Sequence, residues 1–419
     1  MATMTVKMPR EEPAVSYASR YSLPAEPKDN DTNSNLCSGP VILLSHGDPT
    51  GFKPFWRSVG DKCKVTIDSC DFMSYLTDTG TVCWFLEKEL EEAIRQLHRT
   101  VGNAVTDDRH ILVGTGSTQL YHAALYALTS PGGPEPVNVV SAVPYYSSYP
   151  EETNFLCSAL YKWAGDAYTF DKKEPYIELV TMPNNPDGQV RGPMVNRNDG
   201  KLIHDLAYYW PQYTPITAQA DYDIMLFTFS KSMGHAGSRI GWAVVKDKDV
   251  AIKMTKYIEL NSIGVSRESQ HRAAKILGAV SDSSQCIGAN FFQYGKSLMA
   301  ERWTKIREVI SRSRLFSLPK YMEEYCQFSG EETEPHPAFA WLKCNNDIED
   351  LEIFLRRYKI MGRGGSLFGS DPKHVRVSML GDEETFNLFL ERLSSIQDTI
   401  TNSNGNGIKF DELERKQIR

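Results

Sequence analysis

Six short apolar runs between residues 110 and 245 constrain the fold of this chain more than any other feature. The runs are HILVG (110–114), VNVVSAV (137–143), YIELVTM (176–182), KLIHD (201–205), DIMLFTF (223–229) and GWAVV (241–245). They alternate with helical or loop stretches and are apolar at both odd and even positions. Strands buried on both faces of a mostly parallel sheet have this pattern. The sequence therefore predicts an α/β fold whose functional residues gather at the strand ends.

Amphipathic helices and a second set of strands accompany this region. Residues 84–101 and 291–310 place apolar side chains at helical spacing. Two further strand candidates, FAWLKC (339–344) and HVRVSML (374–380), precede a helical stretch at 384–396. The second region therefore has the mixed composition of a smaller α+β unit.

The chain divides into five predicted parts. We predict a large domain over 83–260 and a smaller α+β domain over 261–398, with the N-terminal segment 40–82 joining the smaller one. Residues 1–39 and 399–419 are polar and are predicted not to pack.

Composition excludes several classes of protein. The 419 residues are 41% hydrophobic and carry a formal charge of −7, which gives no electrostatic reason to expect a nucleic-acid partner. No apolar run approaches the ~20 residues that span a bilayer, and the acidic N-terminus has no hydrophobic segment typical of a signal peptide. The eight cysteines form no CxxC pair, so we expect free thiols, no metal site and a cytoplasmic location.

Lys231 lies in the run LFTFSKSMGHAGSRIGW (226–242), directly after a strand-like segment. An ammonium at the end of a buried strand either pairs, loses its proton or becomes covalently bound. Covalent binding indicates an imine with an aldehyde cofactor, and pyridoxal phosphate is the usual one. A surface lysine that happens to follow a strand is the alternative interpretation.

A glycine-rich turn opens the apolar helix predicted in VGTGSTQLYHAALYALT (113–129). Backbone N–H groups at such a helix start, with the hydroxyls of Ser117 and Thr118, form a candidate phosphate site. Gln119 stands where a dinucleotide-binding fingerprint has its third glycine, and the Gly-Lys-Ser/Thr ending of a P-loop is missing. An ordinary strand-to-helix turn remains equally open from this segment alone.

Polar residues follow two other strands. Asn185 in NNPDG could donate to a phenolate oxygen, although the segment also fits a plain turn. Asp205 in HDLAYYW could pair with a pyridinium nitrogen or could cap a helix. Tyr208 lies on the same side as Asp205 if a helical turn forms, and could donate to the same phenolate oxygen.

Aromatic and basic residues complete the series. Tyr146 in PYYSSY could cover a planar ring or could fill the core. Arg239 suits a phosphate, and Arg376, between two valines, should face the opposite side from them and could bind a substrate carboxylate. The order of these signals along the chain favours the functional interpretations, because each lies at a strand end.

This ordered set resembles fold-type I pyridoxal-phosphate aminotransferases, and it is most similar to the plant tryptophan aminotransferase and alliinase-related family. The similarity covers residues 40–397. The segments that carry it are LSHGDPTGFKPFW (44–56), CDFMSYLTD (70–78), CWFLEKELEEAI (83–94), VGTGSTQL (113–120), YIELVTMPNNPDG (176–188), IHDLAYYWPQYTPIT (203–217), DIMLFTFSKSMGHAGSRIGWAVVKDKDVA (223–251) and KHVRVSML (373–380).

The resemblance implies a seven-stranded, mostly parallel sheet and a role for each matched residue. It implies that Lys231 forms the Schiff base, that Asp205 pairs with the pyridine nitrogen, and that Tyr208 and Asn185 contact the 3′-oxygen. Ser117, Thr118, Ser230 and Arg239 would hold the phosphate. The implied cofactor-binding set also includes Gly116, Tyr146 and Thr228.

Substrate and subunit contacts are implied in the same way. Arg376 would bind the amino acid carboxylate, and Gly47 would also contact the substrate. Tyr75 would reach the phosphate of a neighbouring subunit, which implies a homodimer with shared sites. Phe72, Tyr75 and Trp84 lie in segments that could line an apolar side-chain pocket.

The activity implied by the resemblance is transfer of the amino group of L-tryptophan to a 2-oxo acid such as pyruvate, giving indole-3-pyruvate for auxin biosynthesis. An alliinase-like C–S lyase and an aromatic aminotransferase outside auxin synthesis are the alternatives. The cysteine-rich module and secretory signal of alliinases are not expected in the 39-residue leader, which disfavours the lyase. A non-enzymatic regulator would normally need an added DNA-binding domain with a basic face, which the acidic 39-residue leader is not expected to supply. The intact set of polar residues argues against an inactive scaffold.

Overall fold

The computed structural model describes residues 39–77, 80–130, 132–133, 135–195, 197–283, 290–312 and 315–405. The strands are β1 (Ile42–Leu43), β2 (His110–Gly114), β3 (Val137–Ser141), β4 (Tyr161–Asp166), β5 (Tyr176–Thr181), β6 (Lys201–Asp205), β7 (Ile224–Thr228), β8 (Gly241–Val245), β9 (Phe316–Ser317), β10 (Glu324–Cys326), β11 (Glu331–Thr333), β12 (Phe339–Cys344), β13 (Ile360–Met361), β14 (Arg363–Gly364) and β15 (His374–Ser378).

The α-helices differ widely in length. They are α1 (Lys53–Val59), α2 (Lys88–Val101), α3 (Gly116–Leu128), α4 (Tyr149–Asn154), α5 (Phe229–Ser232), α6 (Lys248–Ser262), α7 (Arg267–Ser283), α8 (Phe291–Ser311), α9 (Leu351–Arg357) and α10 (Glu383–Gly405). Helix α2 begins at Lys88, four residues later than the predicted start at 84. The backbone N–H of Glu87, directly before the helix, donates to the Gln270 side chain.

A seven-stranded sheet forms the centre of the molecule, in the order β2-β8-β7-β6-β5-β3-β4. All pairs are parallel except those of β8, which runs antiparallel to both β2 and β7. Each of the six apolar runs forms one of these strands, which confirms the mostly parallel sheet predicted from them. The parallel strands end at one edge, and the polar residues that come after them meet there.

The seventh strand, β4, did not stand out in the sequence. It has the sequence YKWAGD, and most of its residues are only partly buried because it lies at the edge of the sheet. An edge strand needs no continuous apolar run, since one side of it has no neighbouring strand. Lys162 and Gly165 therefore interrupt the pattern on which the other strands were recognised.

A four-stranded antiparallel sheet, in the order β14-β15-β12-β9, forms the second region. Strands β12 and β15 and helix α8 match the elements predicted there. Strand β1 of the N-terminal segment pairs with β13, with Ile42 opposite Ile360. The N-terminal segment is thereby tied to this region, next to Arg376 of β15.

Two predicted domain boundaries fall inside helices. Helix α6 runs through the boundary at 260/261, and α10 continues past residue 399, where a tail was predicted. The predicted leader lies outside the described residues except for Gly39, as do residues 406–419 of the tail. Within the described ranges, no helix is long and apolar enough to cross a membrane, and no group of side chains suited to a metal ion is found.

The cysteines that the structure describes are unpaired, as the sequence predicts. They are Cys63, Cys70, Cys83, Cys157, Cys326 and Cys344, and Cys37 and Cys286 lie outside the described residues.

A buried histidine fastens helix α2 to the central sheet. His98 is fully buried, and its Nε2 accepts from Trp242 Nε1 at 3.0 Å. Its Nδ1 therefore carries the proton and donates to Asn103 Oδ1 at 2.8 Å. Asn103 in turn donates to the Tyr209 carbonyl at 2.7 Å. Burial lowers the pKa of His98 to about 4, so the ring is neutral in the folded protein.

We expect His98→Leu to lower the free energy of unfolding at pH 7 by about 2–4 kcal/mol. The buried Trp242 Nε1 and Asn103 Oδ1 would each lose a hydrogen bond to His98. The difference from wild type should narrow as the pH falls from 6.5 toward 4. Above pH 6.5 both states are neutral at His98, whereas below it the unfolded chain binds the proton first and wild-type stability is lost. Urea unfolding at several pH values measures both effects.

Gln96→Leu, on the exposed face of the same helix, is the matched control and should change stability by less than about 0.5 kcal/mol. A pH-independent difference between wild type and His98→Leu would contradict the assignment of a neutral ring.

Candidate active site

A cavity of about 230 Å³ lies at the carboxyl edge of the central sheet. Helix α3, helix α4 and the segments after β5, β6 and β7 supply its walls. The predicted residues among its lining are Ser117, Thr118, Tyr146, Asn185, Asp205, Tyr208, Thr228, Ser230, Lys231 and Arg239. The parallel strands thus bring together residues that are far apart in the sequence.

Lys231 projects from α5, the single helical turn after β7. The Thr228 hydroxyl accepts from the Ser230 backbone N–H at 3.3 Å and fixes the start of this turn. The Lys231 carbonyl accepts from Gln212 and from Tyr213, which holds the backbone in place. The position of the lysine is therefore set by the strand end and by two side chains.

The Lys231 amine is held in a desolvated and cationic environment. It donates a hydrogen bond to the Gly47 carbonyl. Burial lowers the pKa of Lys231 to about 8, and the positive charges of Arg376 and Arg239 act in the same direction, against Asp48. A substantial share of this amine is therefore unprotonated near pH 8, as a nucleophile or a base requires.

Asp205 ends β6 with its carboxylate inside the cavity. One oxygen accepts from the Ala207 backbone N–H at 3.1 Å, and the other accepts from Tyr149 at 2.9 Å. The next described α-helix starts only at Phe229, so Asp205 closes a local turn and caps no helix. Burial raises the pKa of Asp205, and its two donors oppose that shift. A cationic partner inside the cavity would stabilise this carboxylate.

Tyr149 is a site residue that the sequence analysis did not identify. Its hydroxyl bridges Thr181 Oγ1, at 2.7 Å, and Asp205. The segment PYYSSY offers several tyrosines after one strand, and only the three-dimensional contact distinguishes Tyr149 from Tyr146. Tyr146 also lines the cavity, and its ring meets the Tyr149 ring edge to face.

Asn185 joins this cavity to a second one. Its Nδ2 lies 3.4 Å from the Tyr208 hydroxyl, and its Oδ1 accepts from Arg376 at 2.9 Å. The predicted neighbourhood of Asn185 and Tyr208 is thus present, although the residues after Asp205 form turns instead of a helix. Asn185 also orients the side chain of Arg376, which no sequence pattern indicated.

The opposite end of the first cavity is shaped for an anion. Helix α3 begins at Gly116, which has a φ of +75°. A Cβ atom at this position would collide with Arg239 Nη2, so glycine allows the guanidinium to approach the start of the helix. Ser117 and Thr118 line the same end. Unpaired backbone N–H groups, two hydroxyls and an arginine suit a phosphate group.

The second cavity, of about 640 Å³, opens beside Lys231 and contains Arg376 and Gly47. Arg376 is only 2% exposed. It donates to Asn185 and, at 2.5 Å, to the Ser45 carbonyl, and its guanidinium lies 4.1 Å from the centre of the Phe339 ring. Its Nε has no hydrogen-bond partner among the described residues. The side chain of Arg376 therefore lies in a cleft, as the alternation of side chains along β15 predicts. The Nε of its guanidinium is still available to donate a hydrogen bond.

Gly47 is also required by space. A Cβ atom there would lie 2.8 Å from both the Lys231 amine and the Phe339 ring. The backbone of the N-terminal segment can therefore approach the lysine only where this residue has no side chain.

Three predicted residues do not reach these cavities. Tyr75 is 72% exposed, Phe72 lies under Arg267 and beside His271, and Trp84 contacts Glu259. None of the three lines either cavity, so the pocket predicted from Phe72, Tyr75 and Trp84 is not formed within one chain. The segment that carries Phe72 and Tyr75 has no regular structure and runs along the surface.

Comparison with known proteins identifies the family whose members this chain resembles. The family model described as allinase matches residues 42–397. Tryptophan aminotransferase-related protein 2 of Arabidopsis thaliana is 53% identical over 357 residues, covering 85% of this chain and 81% of the relative. The protein of the same name from Oryza sativa subsp. japonica is 52% identical over 374 residues, covering 85% and 74%. Alliin lyase of Allium cepa var. aggregatum is 35% identical, covering 84% and 81%.

Solved structures share the fold at low sequence identity. The multiple substrate aminotransferase of Thermococcus profundus has a TM-score of 0.63 and 16% identity, covering 92% of this chain and 97% of that one. A methionine aminotransferase of Escherichia coli has a TM-score of 0.60 and 16% identity, covering 85% and 94%. The predicted architecture, a large domain with a seven-stranded sheet plus a smaller α+β domain, is confirmed as fold-type I.

These families use pyridoxal 5′-phosphate, and the first cavity fits that cofactor. It offers the Lys231 amine to an aldehyde, the buried Asp205 carboxylate to a ring nitrogen, and the space beside Gly116 and Arg239 to a phosphate. The cofactor prediction is therefore confirmed. On its sequence and its fold, this chain belongs to the alliinase-related family of fold-type I pyridoxal-phosphate enzymes.

Proposed function

We propose that the protein is an aminotransferase that moves the amino group of L-tryptophan, or of another aromatic amino acid, to a 2-oxo acid such as pyruvate. The relatives above half identity are named tryptophan aminotransferase-related proteins. The observation that carries the proposal is the line of contacts from Arg376 through Asn185 to Tyr208, with the Lys231 amine beside it. A carboxylate bound at Arg376 would have its α-carbon next to the amine.

The cofactor and the chain supply different parts of this chemistry. Pyridoxal 5′-phosphate, when bound, supplies an aldehyde that condenses with amines and a ring that accepts the electron pair released at Cα. Lys231, with its pKa lowered to about 8, would take a proton from Cα of the amino donor and, in the second half of the reaction, would return a proton to Cα of the acceptor. Asp205 would pair with the ring nitrogen of the cofactor and keep it protonated, and Tyr149 holds that carboxylate in position.

The remaining residues bind and orient. Asn185 and Tyr208 would hold the 3′-oxygen of the cofactor, and Tyr146 would cover its ring. Arg376 fixes the substrate carboxylate by paired hydrogen bonds, which selects amino acids and 2-oxo acids. The phosphate would be held by residues at the start of α3 and in the segment 228–239, namely Gly116, Ser117, Thr118, Thr228, Ser230 and Arg239.

Other parts of the proposal concern the setting of the enzyme. Homodimeric assembly with Tyr75 reaching the partner's phosphate, a cytoplasmic location and a role in auxin biosynthesis through indole-3-pyruvate all stay predictions. The exposed position of Tyr75 is compatible with a contact to a second subunit.

The second candidate activity is C–S lysis, which the similarity to alliin lyase favours. Both reactions begin with removal of the Cα proton, so Lys231 and Asp205 serve either one. The two reactions diverge after that step, because a lyase expels a β-substituent and consumes no 2-oxo acid.

Lys231→Ala should abolish covalent attachment of the cofactor, because no other lysine among the described residues lines the first cavity. Borohydride reduction and then intact-protein mass spectrometry should show the cofactor mass on wild type and none on the variant. Lys246→Ala is the control, since Lys246 also comes after a strand but pairs with Asp221 at the surface. Reduced cofactor retained on Lys231→Ala would refute the assignment.

Asp205→Asn should lower kcat by about 100-fold or more, the scale on which proton-holding groups act. The thermal midpoint should change little, because the asparagine oxygen can still accept from the Ala207 N–H while its NH2 donates to the Tyr149 hydroxyl, which can turn its own proton to Thr181 Oγ1. Asp221→Asn, at an exposed ion pair, should leave kcat unchanged. A parallel loss of kcat and thermal stability would favour a structural role for Asp205.

A matrix of amino donors and 2-oxo acids, read by product mass, tests the reaction itself. Tryptophan with pyruvate should give indole-3-pyruvate and alanine, whereas an S-alkyl cysteine sulfoxide alone should release no pyruvate. The amounts of product formed with phenylalanine, tyrosine and methionine as amino donors then rank the donor specificity. Release of pyruvate from the sulfoxide without transfer from tryptophan would establish the lyase instead.

A further inference from the structure

A second arginine, Arg363, faces the substrate cavity directly beside Arg376. Arg363 lies on β14 and is the register partner of Arg376 on β15. Residues directly opposite each other in an antiparallel pair project to the same face of the sheet, with Cβ atoms about 5 Å apart. Both side chains line the 640 Å³ cavity. Arg363 does not stand out in the sequence, because the register that pairs it with Arg376 is not visible in the chain order.

The two arginine side chains differ in their hydrogen-bond partners. Arg376 is hydrogen-bonded to Asn185 and Ser45 and lies against Phe339. The backbone of Arg363 pairs with β15, but its side chain makes no hydrogen bond or ion pair with any of the residues that the structure describes. Like charges in direct opposition destabilise a sheet unless an anion neutralises them. A strand pair that retains this arrangement is therefore suited to bind negative charge.

The other charged groups around the cavity leave it positive. Glu352 is occupied by Arg356 at 2.6 Å and by the Gly364 backbone N–H at 2.9 Å. Burial and the nearby Asp205 raise the pKa of Glu152 to about 7, although Arg363 opposes that shift. Burial, and after it the charges of Arg363 and Arg376, lowers the pKa of His46, so this ring adds little charge.

We propose that Arg363 binds the second carboxylate of a dicarboxylic 2-oxo acid, so that the enzyme accepts oxo diacids of four or five carbons as amino acceptors. The inference rests on the proposed transamination. The first carboxylate pairs with Arg376 and the second with Arg363. The donor leaves as its 2-oxo acid, and the oxo diacid takes up the amino group and leaves as the 2-amino diacid. No external oxidant or reductant is required.

A shared role in binding one carboxylate is the competing interpretation. If both guanidinium groups held the same α-carboxylate, removing Arg363 would weaken the binding of monocarboxylates and of dicarboxylates alike. If Arg363 holds a second carboxylate, only dicarboxylates lose affinity. The two interpretations are therefore separated by a matched pair of acids that differ in one carboxylate.

The test is isothermal titration calorimetry of the holoenzyme with glutarate and with butyrate, neither of which can react. Arg363→Gln should lower the binding affinity for glutarate by about tenfold or more, which is the scale of one lost charge-assisted hydrogen bond. Butyrate affinity should change by less than about twofold. Arg363→Lys, which keeps the charge and loses the fork, should fall between wild type and Arg363→Gln for glutarate. Arg357→Gln, a neighbouring exposed arginine that does not line the cavity, is the control.

Kinetics with the same variants complete the test. Arg363→Gln should raise the KM for 2-oxoglutarate by a similar factor and leave the KM for pyruvate unchanged. Equal weakening of glutarate and butyrate, or no change in either, would overturn the dicarboxylate site. Arg363-dependent binding of glutarate in a protein that transfers no amino group would support the site and refute the proposed transaminase.

Discussion

The register of the parallel strands β5, β6 and β7 is the constraint on which the active site depends. It pairs Thr181 with Asp205 and Asp205 with Leu226, so these strands end at one edge of the sheet. Two residues beyond Leu226 the strand ends and the turn that carries Lys231 begins. A shift of this register by one residue would turn the Asp205 side chain to the opposite face. The apolar burial that fixes the register therefore also fixes the distance between the carboxylate and the amine.

The sequence predicted best those features that depend on local pattern. Asp205 ends one short strand run and Lys231 follows another, and such runs are recognisable because they are mostly apolar on both faces. The edge strand Tyr161–Asp166 escaped recognition because partial exposure permits polar residues within it. Tyr149 and Arg363 were missed for another reason, since their importance comes from partners far away in the sequence. Which tyrosine meets Asp205, and which residue lies opposite Arg376, depends on packing between elements.

The two cavities share part of their lining and differ in the rest. Lys231, Asn185 and Tyr208 line both of them, whereas Asp205 and Arg239 line only the first. Arg363, Arg376 and Phe339 line only the second cavity. A common first cavity fits with one fold and one family for proteins named aminotransferase and lyase. Differences in reaction are then expected among the residues of the second cavity.

The N-terminal segment between Ser45 and Gly47 contacts both Arg376 and Lys231. The Ser45 carbonyl accepts from Arg376, and two residues later the Gly47 carbonyl accepts from Lys231. The segment is also joined to the second region through the pairing of Ile42 with Ile360. Two backbone carbonyls, which cannot titrate, thus accept from Arg376 and Lys231 within three residues of chain. Any movement of this short segment would therefore change the surroundings of the arginine and of the lysine together.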